Sequence, residues 1–129
     1  MMTKLLVVDD DTNLLKFLKE GLADAGFEVK TIDNGADAIV SAVEESFDLV
    51  LLDMLMPGLD GIRVIKVLRK IIPDIPIIGL TGYAGMGYVN EAAQLGVRIL
   101  TKPVVFFDLV GEINRAVTAQ RGKTLKVDK

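Results

Sequence analysis

The chain has 129 residues, of which 50% are apolar and 26% charged, and its net charge at pH 7 is −3. This balance is typical of one globular domain, and it offers no basic surface for nucleic acid. Cysteine and histidine are both absent, which excludes disulfides, thiolate or imidazole metal ligands, and a histidine base. Any chemistry must therefore use carboxylates, hydroxyls, lysine or the backbone, and a bound metal would be a hard cation with oxygen ligands.

The first residues lead directly into a short apolar run, so we expect no signal peptide. No apolar stretch approaches the ~20 residues that a membrane-spanning helix needs. Together with the lack of cysteine, this pattern favours a cytoplasmic location without membrane contact.

Short apolar runs alternate with longer amphipathic segments along the whole chain. The short runs are rich in valine, isoleucine and leucine and predict strands at 5–8, 27–32, 48–52, 77–80 and 97–100. The longer segments have apolar residues at helical spacing and predict helices at 12–25, 36–46, 62–71, 88–95 and from 103 onwards. On the first two helices we expect Ala25 and Val43 among the inward-facing residues.

Five strand–helix units in succession predict an α/β fold, a doubly wound parallel sheet with helices on both faces. The third strand is apolar throughout, so it should be central and buried on both sides. We expect one domain over residues 1–121, followed by a polar tail or linker start at 122–129.

Polar residues follow four of the predicted strands, and open α/β sheets bind ligands at this edge. Asp9 and Asp10 follow the first strand, Asp53 the third, Thr81 the fourth, and Lys102 the fifth. Carboxylates held close together repel one another, and a divalent cation would relieve that repulsion. Asp53 could then attack a phosphoryl donor, while Lys102 neutralises charge and the Thr81 hydroxyl binds a phosphoryl oxygen.

Four motifs, in this order at strand ends, resemble those of the response-regulator receiver domain of two-component signalling. The resemblance covers about residues 3 to 120. It rests on Val7-Val8-Asp9-Asp10, on Asp53-Met54-Leu55-Met56-Pro57-Gly58-Leu59-Asp60-Gly61, on Leu80-Thr81 and on Lys102-Pro103. Each motif alone is weak, but the four together are specific.

The resemblance implies a role for each matching residue. Asp53 would be the phosphoacceptor, and Asp9, Asp10, Asp53 and the backbone carbonyl of Leu55 would hold Mg²⁺ or Mn²⁺. Thr81 and Lys102 would contact the phosphoryl group and complete the catalytic set. The family also implies a cis peptide bond between Lys102 and Pro103, and the strand order 2-1-3-4-5.

The partners that the resemblance implies are proteins. A sensor histidine kinase or a histidine phosphotransfer protein would donate the phosphoryl group. A downstream effector protein or domain would read the resulting conformational change at the face of the fourth helix, fifth strand and fifth helix. The family leaves room for a weak homodimer, and the chain itself would bind no nucleic acid.

Two departures from the family pattern concern how the signal is carried and how long it lasts. Ile99 stands three residues before Lys102, where many receivers have a switching tyrosine or phenylalanine. Leu55 and Tyr83 stand at positions that tune hydrolysis of the phosphoaspartate. Apolar or bulky side chains there would hinder an attacking water, so we expect a long-lived phosphoryl state.

Several other readings of the same residues stay open at this stage. The acids after the first strand could simply cap a helix, and Asp53 could be a turn residue. A degenerate receiver could serve only as a binding module. Asp9-Asp10-Asp11-Thr12 also resembles the opening of haloacid-dehalogenase-type phosphatases, although its threonine comes one position early. A flavodoxin-like electron carrier would share the fold, but acids after its first strand would repel the flavin phosphate.

Overall fold

A computed structural model describes residues 2–56, 58, 60–82 and 86–127, with the side chains of residues 86–88 and 124–127 left aside. Strands and helices alternate along these residues, as the sequence predicts. Their bounds are β1 Lys4–Val8, α1 Thr12–Asp24, β2 Glu28–Ile32, α2 Gly35–Glu44, β3 Leu49–Asp53, α3 Gly61–Ile71, β4 Ile77–Thr81, α4 Met86–Gln94, β5 Arg98–Thr101 and α5 Phe106–Val127.

The five strands form one parallel sheet in the order β2-β1-β3-β4-β5, which confirms the predicted doubly wound architecture. Strand β3 is central, with β1 on one side and β4 on the other. All five of its residues are buried, as expected for a strand covered by helices on both faces. The carboxyl end of β3 therefore lies in the middle of the edge where ligands bind such sheets.

Alternate residues of each strand point to opposite faces of the sheet and build two separate cores. One face carries Leu6, Val8, Val50 and Leu52, which pack with apolar residues of α2, α3 and α4. The opposite face carries a second set of strand residues that pack with α1 and α5, namely Leu5, Val7, Leu49 and Leu51. Each fully buried side chain of this size contributes about 1.5–3 kcal/mol, so both layers hold the sheet in place.

The prediction that Ala25 and Val43 face inward is wrong. Ala25 is exposed because α1 ends at Asp24 and Ala25 forms its C-terminal cap. Val43 is 61% exposed. The buried stripe of α2 instead includes Ala38 and Ala42, and Val43 lies on the flank of that stripe.

The bounds of the last two helices also differ from prediction. Helix α4 begins at Met86, two residues early, and α5 begins at Phe106, three residues late; the Lys102–Pro103 bond before α5 is cis, as the family implies. Helix α5 then continues to Val127, through the region where a polar tail is predicted from Gly122. No proline follows, and Gly122 does not have the positive φ that would end the helix. The division of the chain after residue 121 stays a prediction.

Helix α3 is fastened to the C-terminal half of α4 by two side chains. The guanidinium of Arg69 donates one hydrogen bond to the carbonyl of Leu95 (2.7 Å) and another to the carbonyl of Ile75 (2.6 Å). One helical turn earlier, Lys66 forms an ion pair with Glu91 at 2.9 Å. The end of α4 is therefore held by contacts to α3, and Arg69 also ties α3 to the loop that follows it.

Candidate functional site

Three carboxylates meet where β1 and β3 end. These strands are parallel neighbours, so the residues that end or follow them lie at the same edge of the sheet. Asp9 and Asp53 are almost fully buried, at 1% and 5% exposure, while Asp10 is exposed. One oxygen of each carboxylate lies within 4.8 Å of the others. The structure thus brings together the three acids that the sequence predicts as metal ligands.

Lys102 reaches this cluster from the loop after β5. Its ammonium lies 3.0 Å from Oδ2 of Asp9, to which it donates a hydrogen bond, and 3.6 Å from Oδ1 of Asp53. Its backbone N–H donates to the carbonyl of Thr81, which ties the loop to the end of β4. The ammonium of Lys102 therefore offsets only part of the negative charge of the three carboxylates.

The surroundings of Asp53 disfavour its charged form. Burial raises the pKa of Asp53 to about 6, and the negative charge of Asp9 adds to the rise. The charge of Lys102 and a hydrogen bond from the backbone N–H of Leu55 (3.3 Å) oppose the rise without cancelling it. A carboxyl with this pKa is stabilised when a further positive charge arrives.

The same cluster favours the charged form of Lys102. Partial burial by itself would lower the pKa of Lys102, but the hydrogen bond to Asp9 and the charges of Asp9 and Asp53 outweigh burial and raise the pKa. The ammonium therefore stays protonated throughout the physiological range, as a group that must stabilise anionic oxygens should.

Thr81 and Leu55 lie beside the acids. Thr81 is the last residue of β4 and is fully buried, in the strand next to the one that ends in Asp53. The side chain of Leu55 is 53% exposed at the rim of the site. Roles for the Thr81 hydroxyl and the Leu55 carbonyl stay predictions, and Tyr83 lies outside the described residues.

Helix capping does not account for the acids after β1. Helix α1 is capped by Asp11, whose carboxylate accepts hydrogen bonds from the backbone N–H groups of Asn13 and Leu14. Asp9 instead accepts from the N–H of Asp11 and from Lys102. Asp11, which lies outside the cluster, is therefore the residue that caps the helix. Capping does not explain the acid at Asp10.

The donor set fits a hard divalent cation. Carboxylate oxygens are the ligands that Mg²⁺, Mn²⁺ and Ca²⁺ prefer, and three acids within 4.8 Å carry more negative charge than Lys102 can balance. The raised pKa of Asp53 has the same origin, because an uncompensated buried carboxylate takes up a proton instead.

Comparison with known proteins agrees with this geometry. The sequence pattern of the response regulator receiver domain family matches residues 5–114. The chain is 36% identical over 119 residues to the response regulator receiver protein CpdR of Brucella abortus, covering 92% of this chain and 99% of CpdR. It is 38% identical over 122 residues to the transcriptional regulatory protein PrrA of Mycobacterium tuberculosis, covering 94% of this chain but 52% of PrrA. A CheY-like receiver domain structure from Methanospirillum hungatei superposes with a TM-score of 0.93 at 27% identity, covering 95% of this chain and 99% of that one.

A doubly wound sheet with an acidic cluster at its central strand end defines a signalling domain of the two-component type. The chain belongs to the response regulator receiver domain family, whose members are phosphoaspartate switches. This is a regulatory family, so the phosphatase and electron-carrier readings are wrong. The chain spans nearly all of CpdR but about half of PrrA. Within the described residues, no helix is long and apolar enough to cross a bilayer.

Proposed function

We propose that Asp53 accepts a phosphoryl group from a phosphohistidine of a sensor histidine kinase or a histidine phosphotransfer protein. The observation that carries this proposal is the meeting of Asp9, Asp10 and Asp53 with the ammonium of Lys102 at one edge of the sheet. Asp53 alone among these acids lies at the end of the central strand, where groups from both neighbouring strands surround it.

Within the chain, the transfer step uses the residues of this cluster together with Thr81. A carboxylate oxygen of Asp53 attacks phosphorus, the phosphorus–nitrogen bond to the donor imidazole breaks, and the imidazole nitrogen keeps the electron pair. Lys102 offsets the negative charge on the phosphoryl oxygens, and the Thr81 hydroxyl hydrogen-bonds one of them. Water attack on the same phosphorus would return Asp53 to its carboxylate, so the domain would catalyse only its own phosphorylation and dephosphorylation.

Asp9, Asp10, Asp53 and the carbonyl of Leu55 would hold the cation, which we expect to be Mg²⁺ or Mn²⁺. When bound, it supplies positive charge to the equatorial oxygens of the transferred group. The role of the chain is to place the three carboxylates on adjoining strand ends before the cation arrives.

An apolar groove beside Lys102 supports docking of the phosphoryl donor at this edge. It encloses about 440 Å³ between α1 and the segment that opens α5. Its lining is mostly aliphatic and aromatic, with Leu14, Phe17, Leu18, Leu80, Lys102, Pro103, Val104, Phe106 and Leu109. Because Lys102 both lines this groove and lies 3.6 Å from Asp53, a partner that covers the groove would lie beside the acidic site.

Phosphorylation then replaces the single negative charge of the Asp53 carboxylate with the roughly two negative charges of an acyl phosphate at the buried end of β3. We propose that this charge biases a two-state equilibrium that moves Thr81 and α4, and that an effector protein or domain reads the change. The location would be the cytoplasm, where histidine kinases present their phosphohistidine.

The proposal is tested with a small acyl phosphate and Mg²⁺, followed by intact mass measurement. We expect the wild type to gain one phosphoryl group and Asp53→Asn to gain none. Asp33→Asn, an exposed aspartate in the β2–α2 turn, is the matched control and should behave as wild type. Omission of divalent cation should also abolish the gain. A folded wild type that gains no mass with Mg²⁺ present would favour a degenerate receiver.

A further inference from the structure

Met54 stands directly after Asp53 and is fixed by both its backbone and its side chain. Its N–H donates to the carbonyl of Leu80 on β4 (2.8 Å), and its carbonyl accepts from the N–H of Gly61 at the start of α3 (3.1 Å). The side chain is only 2% exposed, although the residue follows the end of a strand. A displacement of Asp53 must therefore also displace the packed atoms of Met54.

Two glycines make room for this side chain. A Cβ atom built on Gly61 would lie 2.6 Å from Cα of Met54 and 3.0 Å from its sulfur. A Cβ built on Gly79, in the middle of β4, would lie 2.7 Å from the same sulfur. Distances this short are repulsive, so any larger residue at either position would displace Met54. Glycine inside an apolar strand marks such a close approach.

Ile99 fills the remaining space over Gly79. It is the residue of β5 that pairs with Gly79, and its Cδ1 lies 2.5 Å from the position a Gly79 Cβ would take. Cδ1 of Ile99 and the sulfur of Met54 both approach this one point, so the two side chains lie side by side over the glycine, in the same core. We call Gly61, Gly79 and Ile99 the Met54 socket.

Met54, Gly79 and Ile99 are each near neighbours in sequence of a group in or beside the acidic site. Met54 follows Asp53, Gly79 precedes Thr81 by two residues on the same face of β4, and Ile99 precedes Lys102 by three. The three chain segments that would grip a phosphoryl group therefore also meet in the socket. A shift of any one of these segments should therefore disturb the packing of Met54 and Ile99 over Gly79.

We infer that Met54 and Ile99, interlocked over Gly79, couple the phosphorylation site to β5 and α4 in place of a rotating aromatic. The inference rests on the proposed phosphorylation of Asp53. Movement of the loop after β3 presses Met54 against Ile99, and close-packed side chains pass on such displacements instead of absorbing them. Ala92 of α4 is buried in the same core cluster as Met54, which extends the path to α4.

The first test is Ile99→Val, which removes the Cδ1 atom over Gly79 and keeps a β-branched residue in the strand. Amide hydrogen exchange of residues 89–101 is measured with and without acyl phosphate and Mg²⁺, and intact mass is measured on the same samples. We expect phosphorylation to the wild-type extent but a loss of about half or more of the phosphorylation-dependent change in exchange. Ile39→Val makes the same change on α2, beside the same core but outside the socket, and should keep the full response.

The second test is Gly79→Ala, whose added methyl group must displace Ile99 and Met54. We expect exchange in β5 and α4 to be altered before any phosphorylation, and the double variant Gly79→Ala with Ile99→Val to reverse part of the alteration, because it removes the clash with Ile99 but not the one with Met54. Gly122→Ala is the control, because its Cβ would have no atom within 4 Å. Should Gly79→Ala fail to fold, Ile99→Val alone decides.

The inference is overturned if Ile99→Val is phosphorylated normally and keeps the full exchange response. It is also overturned if folded Gly79→Ala resembles Gly122→Ala. Failure of the proposed function looks different, because the wild type would then gain no mass, and the coupling would fall with it.

Discussion

At the scale of single residues, the main feature of the site is the buried carboxyl of Asp53, whose negative charge is only partly offset by nearby positive charge. Asp53 has a pKa of about 6 because it is buried beside Asp9 and only partly compensated by Lys102. An aspartate in the unfolded chain has a pKa of about 3.9. Between these two values the folded chain holds a proton that the unfolded chain has released.

The contribution of Asp53 to the unfolding free energy should therefore fall as pH rises from about 4 to about 6, by at most roughly 3 kcal/mol. Asp53→Asn removes this titration. The unfolding free energy of the variant, relative to that of the wild type, should therefore increase over that interval, and the variant should be the more stable protein at pH 7.5. Urea denaturation without divalent cation, in steps from pH 4 to pH 8, measures both proteins. Asp33→Asn, which is exposed, should keep the wild-type profile; a flat difference between Asp53→Asn and wild type would contradict the account.

Removal of the Lys102 charge should raise the pKa of Asp53 further. In Lys102→Met the pKa of Asp53 should rise above 6, because the one nearby positive charge is lost. We expect phosphorylation by acyl phosphate to slow about a hundredfold and its pH midpoint to move upward. The rate measured against pH checks both effects. Lys70→Met, on the exposed side of α3, should match the wild type.

Leu55 allows a separate expectation about how long the phosphoryl group lasts. Its side chain is half exposed at the rim of the site, where it can hinder an approaching water. Phosphate release from phosphorylated protein should take longer than a few seconds at neutral pH. Leu55→Gln should shorten that time by about tenfold, because an amide can orient water toward phosphorus. Loss of phosphate from the wild type within seconds would sink this expectation.

At the scale of secondary-structure elements, neighbouring aspartates at one helix start have separate duties. Asp11 caps α1 through two backbone N–H groups, whereas Asp10 belongs to the acidic cluster. Asp11→Ala should lower the unfolding free energy by about 1 kcal/mol and leave Mg²⁺ affinity unchanged. Asp10→Ala should do the reverse, with weaker Mg²⁺ binding and little loss of stability. Denaturation and Mg²⁺ titration on both variants check the division, and equal behaviour of the two would refute it.

Elements also show what sequence can and cannot predict. The meeting of Asp9, Asp53 and Lys102 was predictable because parallel strands bring their carboxyl ends to one edge. The burial of Met54 was not, because it depends on glycines of β4 and α3 that are distant in sequence. The glycine inside the apolar run of β4 was the signal available, but it does not say which side chain fills the space. The length of α5 was missed for another reason: a polar composition is compatible with both a helix and a tail.

At the scale of the whole molecule, the acidic cluster links folding to the cation. The three carboxylates converge only when β1 and β3 pair, so the unfolded chain offers no such site. At 100 times its dissociation constant, Mg²⁺ should raise the unfolding free energy by about 2.7 kcal/mol. Thermal melts with Mg²⁺ and with a chelator check this. The gain should shrink in Asp10→Asn and Asp53→Asn, and an unchanged gain in both would place the cation elsewhere.

Arg69 holds the end of α4 at Leu95, and the Lys66–Glu91 ion pair one turn earlier is exposed and weak, so the helix can swing about Leu95. A rod pinned near one end can only swing, so displacement grows with distance from the pin. Helix α4 has nine residues, so a swing of about 10° moves its first turn, about 13 Å from the pin, by about 2 Å. The largest displacement is therefore expected at the N-terminal end of α4, the end that follows Thr81 in sequence, while the end held by Arg69 stays nearly still.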